Sequence, residues 1–68
     1  MTLGQTIKHA RITHDLKQRE LSTLTRISQK YLSQIENDHV DPAFSYVVRI
    51  MKALPLDLSP LLTAEEDV

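Results

Sequence analysis

The apolar positions recur at intervals of three and four, the spacing of one helical face. Leu3, Ile7, Ala10 and Arg11 share such a face, and Thr2 and Gln5 have the spacing of a capping box, so the pattern predicts a first helix near residues 2–13. Leu21, Leu24 and Thr25 predict a second near 18–25, with Leu16 packing just before it. Ser28 is a good N-cap for a third helix whose stripe is Tyr31, Leu32, Ile35 and Glu36. Asp41 and Pro42 read as N-cap and first position of a fourth, with Phe44, Val47, Val48, Met51 and Leu54 as a core-facing stripe that stops at Pro55. Asp57 caps a short fifth helix in which Pro60 falls in the first turn, ahead of Leu61 and Leu62. No run alternates as a strand would. Gly4 is the single glycine, and the prolines stand at 42, 55 and 60, so residues 5–41 lack the strongest helix breakers. The predicted fold class is all-α: a compact bundle of five short helices forming one domain over residues 1–63, followed by a frayed acidic tail at 64–68.

Composition narrows the functional classes. With no cysteine among 68 residues, the chain has no disulfide, no Cys-ligated metal and no thiol nucleophile. Its 41% apolar and 25% charged residues are those of a globular chain. No apolar run approaches the roughly 18 residues of a membrane span, and the start lacks the basic and apolar regions of a signal peptide, so a soluble cytoplasmic protein is expected. The net charge of −1 conceals an asymmetry. Residues 8–37 carry Lys8, Arg11, Lys17, Arg19, Arg26 and Lys30 against three acids, whereas 38–68 carry Arg49 and Lys52 against six. A polyanion would meet the first half.

Two charges interrupt the apolar stripes. Arg11 follows Ile7 by four residues, and Glu36 follows Leu32 by four. A lone buried charge is costly, so the simplest arrangement pairs them; the alternative is that both snorkel to water from the edges of their stripes. The opposite face of the third helix holds Gln29, Lys30, Ser33, Gln34 and Asn37, and residues 21–35 contain no Asp or Glu. A solvated helix usually intersperses acids with bases. Amides, a hydroxyl and one lysine instead suit base edges and phosphates, since Gln can hold adenine by two hydrogen bonds and Lys can donate to guanine. A merely solvated polar face is the competing reading.

The run from Leu16 to Asn37, LKQRELSTLTRISQKYLSQIEN, resembles the helix-turn-helix of the Xre family, which includes the lambdoid phage repressors and Cro proteins. Leu3-Gly4, Ile7 and Arg11 upstream, and Pro42, Ile50, Ala53-Leu54, Leu58 and Leu61-Leu62 downstream, extend the resemblance over about residues 3–62. It implies a lambda-repressor-like DNA-binding domain with the motif formed by the second and third helices. It further implies base contacts from Gln29, Lys30, Ser33 and Gln34, phosphate contacts from Gln18, Arg26, Ser28 and Asn37, and a structural ion pair between Arg11 and Glu36. The implied protein is a transcription regulator, a dimeric repressor on a palindromic operator in double-stranded DNA. Leu58, Leu61 and Leu62 are candidate members of a homodimer interface.

The chain departs from the family pattern at four positions. Arg26 stands where the turn usually has glycine, and a left-handed backbone there costs an arginine about 1 kcal/mol. Ser22 replaces a small alanine, so its hydroxyl needs a backbone acceptor. Lys17 replaces a capping Ser or Thr, which leaves the second helix loosely capped, and Asp38 replaces the glycine that often follows the third.

Other functional classes have less to stand on. A protein-interaction module, antitoxin-like or bridging, would use the acidic second half and an exposed Tyr46. A controller of a restriction–modification system would differ only in its promoter. Tyr31 is either a packed residue with a wet tip or a phosphate contact. His9, His14 and His39 lack metal-ligand spacing, and the chain has no Gly-rich phosphate loop, nucleophile elbow or paired carboxylates. No metal, cofactor or enzymatic activity is therefore expected.

Overall fold

The computed structural model describes residues 1–56, which form four helices: α1 (Leu3–Thr13), α2 (Gln18–Thr25), α3 (Gln29–Glu36) and α4 (Phe44–Ala53). There is no strand among the described residues. The expected fifth helix, the leucines assigned to a dimer interface and the acidic tail lie outside them.

Local chemistry sets most of the boundaries. Thr2 and Gln5 close the predicted capping box on α1: Gln5 N–H donates to Thr2 Oγ1 at 3.1 Å, and Thr2 N–H donates to Gln5 Oε1 at 2.9 Å. Ser28 caps α3 by accepting from Tyr31 N–H at 3.1 Å. Lys17 supplies no side-chain cap to α2, as expected, but Glu20 reaches back and accepts from Lys17 N–H at 2.9 Å. Only the reverse half of a capping box is thus formed, and it satisfies the Lys17 N–H while the Glu20 N–H has no side-chain acceptor.

The core is built from Ile7, Leu21, Ile27, Leu32, Ile35, Ile50 and Leu54. Gly4 lets α1 approach the end of α3. A Cβ at this position would collide with Ile35 O and stand 2.9 Å from Glu36 O, both backbone atoms that cannot swing aside. Asp38, left-handed at φ 60°, locks the same junction, its carboxylate accepting from Thr2 Oγ1 at 2.6 Å and from Gly4 N–H at 3.2 Å. A glycine there would ease the backbone but forfeit both bonds. The carboxylate also lies at the positive end of the α1 dipole.

The structure corrects the sequence reading of α4 in two respects. Ala43, with no side-chain cap, is its N-cap, so Asp41 and Pro42 precede the helix instead of opening it. The buried face is also rotated: Ile50 and Leu54 are buried and Tyr46 and Ala53 pack against the core, while Phe44 is 81% exposed and Met51 42%. Phe44 is therefore not a core residue. Ser45, Arg49 and Lys52 share one side of α4, but the apolar arc on the rest of it is wider than a single core-facing stripe, so periodicity identifies a helix without fixing which part of that arc turns inward. In α2, Leu24 is likewise exposed, and Leu21 and Thr25 are the residues buried.

Candidate nucleic-acid interface

The inner side of α3 consists of Leu32, Ile35 and Glu36, all buried, with Tyr31 packed at its flank. Burying these four leaves Gln29, Lys30, Ser33, Gln34 and Asn37 on the remaining side, neighbours at three- and four-residue spacing. Gln29, Lys30 and Asn37 are exposed, whereas Ser33 and Gln34 are half-buried along the flank. Asn37 folds back on the helix, its Nδ2 donating to Ser33 O at 2.8 Å. The amides and the lysine thus share one face, and its two ends are tied to the helix by Ser28 and Asn37.

The α3 helix is anchored from beneath by the predicted ion pair. Arg11 Nε donates to Glu36 Oε2 at 2.8 Å and Arg11 Nη2 to Glu36 Oε1 at 3.1 Å, a two-pronged geometry that joins α1 to α3. The third guanidinium nitrogen, Nη1, donates to Leu16 O at 2.8 Å, which fixes the chain just before α2. The side chains are 13% and 2% exposed, so these charges do not snorkel to water. Gln18 Nε2 adds a longer bond to Glu36 Oε1 at 3.3 Å, bracing α3 from the first residue of α2.

The turn between α2 and α3 is saturated with hydrogen bonds. Arg26 is left-handed at φ 60°, ψ 27°, so the turn keeps the backbone that glycine usually supplies there, and its side chain is exposed. Ser22 finds its backbone acceptor at Ile27 O, 2.6 Å away. Thr25 is buried; its hydroxyl donates to Leu21 O at 2.8 Å and accepts from Ile27 N–H at 3.3 Å. Arg26 and Ser28, both assigned to phosphate, line one cleft with Ile27, Tyr31 and Tyr46.

Arg49 is the residue sequence reasoning missed. From α4 its Nε donates to Thr25 O at 3.0 Å and its Nη2 to Arg26 O at 3.1 Å. Its guanidinium carbon lies 5.3 Å from the Tyr46 ring centroid, and Tyr46 in turn packs on Tyr31, centroids 5.2 Å apart and tilted at 58°. Arg49 is a cation embedded in an apolar run, the same signal that exposed Arg11. Its partners are backbone carbonyls, which no residue pattern displays. Tyr46 is half-buried in this stack, so it does not form the exposed patch that a protein-interaction module would have used. Tyr31 is packed against the core as well.

Among the described residues, no group of His, Asp and Glu is arranged to hold a metal ion, and no helix is long and apolar enough to cross a membrane. Two short helices joined by a tight turn, the second displaying an acid-free polar face and held from behind by an ion pair, define the helix-turn-helix class. The helix-turn-helix family model matches residues 7–61, and the chain belongs to this Xre-like family. It is similar to the immunity repressor protein of Bacillus phage phi105, 34% identical over 65 residues, which cover 96% of this chain and 45% of the phage protein. The chain therefore spans less than half the length of that relative.

Proposed function

We propose that this chain is a sequence-specific DNA-binding transcriptional repressor that reads the major groove with α3. The carrying observation is the outward side of α3: amides, a hydroxyl and a lysine, without one acid between residues 21 and 35, on a helix whose opposite side is buried and clamped. Gln29, Lys30, Ser33 and Gln34 contact base edges in this reading. Gln18, Arg26, Ser28 and Asn37 meet phosphates and set the register. The exposed Arg26 stands at the turn, where a cation reaches the backbone beside the groove. Gln18 does double duty, bracing Glu36 and presenting the start of α2 to a phosphate.

One such unit reads only a few base pairs, so a homodimer on a palindromic operator is part of the proposal, with half-sites about one helical turn apart. The similarity to a phage immunity repressor supports repression as the regulatory outcome. A DNA reader of this kind works in the cytoplasm of a bacterial host, and the proposed mechanism requires no cofactor and no catalysis.

The test is a titration of labelled duplex at several salt concentrations, after selection of the preferred sequence from a random pool. Affinity for the selected duplex falls steeply as salt rises, through release of counterions from the contacted phosphates. Gln29→Ala and Gln34→Ala each relax the preference at particular base pairs, by about 1–3 kcal/mol per lost bidentate contact. Absence of binding to any duplex at low salt would overturn the proposal. An unchanged preferred sequence in both variants would remove the assignment of base readout to α3.

A further inference from the structure

We infer that Arg49 is a positioning residue for DNA recognition: it holds the turn between α2 and α3, and so the bearing of α3, without touching DNA itself. This inference rests on the DNA-reading function proposed above. It starts from Arg26, which adopts a left-handed backbone where a side chain is unfavourable, at the point where the chain changes direction between the two helices of the motif. Such a conformation persists only when its surroundings over-determine it.

Arg49 supplies that constraint from a third helix. Its two donors take the carbonyls of Thr25 and Arg26, the last residue of α2 and the left-handed residue itself, at 3.0 and 3.1 Å. These carbonyls belong to the C-terminal end of α2, where intrahelical partners run out and a cation is favoured by the helix dipole. A planar guanidinium can serve both oxygens at once while lying against the Tyr46 ring. Tyr46 packs on Tyr31 of α3, so one side chain couples the end of α2, the turn and the start of α3. The turn is thereby referred to α4, an element that carries none of the proposed base contacts. Rigid support of this kind matters because a recognition helix displaced by a fraction of an ångström loses its base-edge hydrogen bonds while phosphate contacts adapt.

The test compares Arg49→Met, which keeps an apolar stem and removes both donors, with Lys52→Met, which removes one exposed cation from the same helix. Each is measured where melting curves show it fully folded, against the duplex the wild type selects and against a scrambled duplex. Arg49→Met loses about tenfold in affinity for the selected duplex beyond its change on the scrambled one, whereas Lys52→Met shifts both alike. In an Arg26→Gly background the turn is no longer strained, and the same Arg49→Met penalty shrinks to about twofold or less. Hydrogen exchange supplies a readout that needs no DNA: the Arg26 and Ile27 amides lose about tenfold in protection in Arg49→Met and keep it in Lys52→Met. Equal losses on both duplexes, a penalty undiminished by Arg26→Gly, or unchanged exchange at residues 26 and 27 would each overturn the inference. Should the wild type bind no duplex, the proposed function fails, and exchange alone decides whether Arg49 holds the turn.

Discussion

Arg11 shows how one side chain can tie three segments into one scaffold. It meets Glu36 with two nitrogens and Leu16 O with the third, so α1, α3 and the entry to α2 converge on a single guanidinium. Replacing it with methionine leaves the Glu36 carboxylate, 2% exposed, with only the longer Gln18 bond. Stability falls by about 3 kcal/mol, the usual result of removing one partner from a buried pair. Pairing Arg11→Met with Glu36→Leu recovers much of that loss, which denaturant unfolding of the single and double variants will measure. Where these variants remain folded, their sequence preference is that of the wild type. Arg26 makes the opposite prediction. Arg26→Gly relieves the left-handed backbone and raises stability by about 1 kcal/mol, or about 5 °C in melting temperature for a domain of this size. It also weakens binding to every duplex and flattens its salt dependence by about one phosphate contact.

At the scale of elements, α1 and α3 meet through a junction that tolerates no added atom. Gly4→Ala drives a Cβ against the backbone oxygens of Ile35 and Glu36, and parting the helices costs about 1–3 kcal/mol, to be read as a lower denaturant midpoint with an unchanged slope. The same scale separates what was legible in the chain from what was not. The caps Thr2 and Ser28 act within one turn of their own positions, and both stand where the residue pattern puts them. Ser22 was placed correctly because its hydroxyl had to find a nearby backbone oxygen. The orientation of α4 was not legible, because its apolar residues, from Tyr46 and Ala53 through Ile50 to Phe44 and Val48, cover more than half of the circumference, and either half of that arc would satisfy the pattern. Contact with α2 chose the side bearing Ile50 and turned Phe44 outward. Arg49 escaped notice for a related reason: its partners are carbonyls at the end of α2 and in the turn, 24 and 23 residues earlier in the chain.

For the whole molecule, charge and architecture point the same way. The cationic stretch, residues 8–37, contains the helix-turn-helix, so the field of the described residues favours a polyanion at α2 and α3. The proposed homodimer predicts that a palindromic duplex carrying two selected half-sites binds cooperatively and that destroying one half-site weakens binding to the other. Quantitative titration of the two duplexes, with sedimentation of the complexes, measures that coupling; independent binding of the two sites would remove the homodimer from the mechanism.

The order and type of the helices, the acid-free side of α3 and the pairing of Arg11 with Glu36 were all readable from residue spacing. Each follows from a local rule: helical periodicity, capping, or the cost of burying a charge alone. The phase of α4, the Asp38 lock on α1 and the Arg49 hold on the turn came into view only with the helices packed. They depend on which backbone groups and which faces are brought together across more than twenty residues of chain, and backbone carbonyls and amides are the same at every position of a sequence.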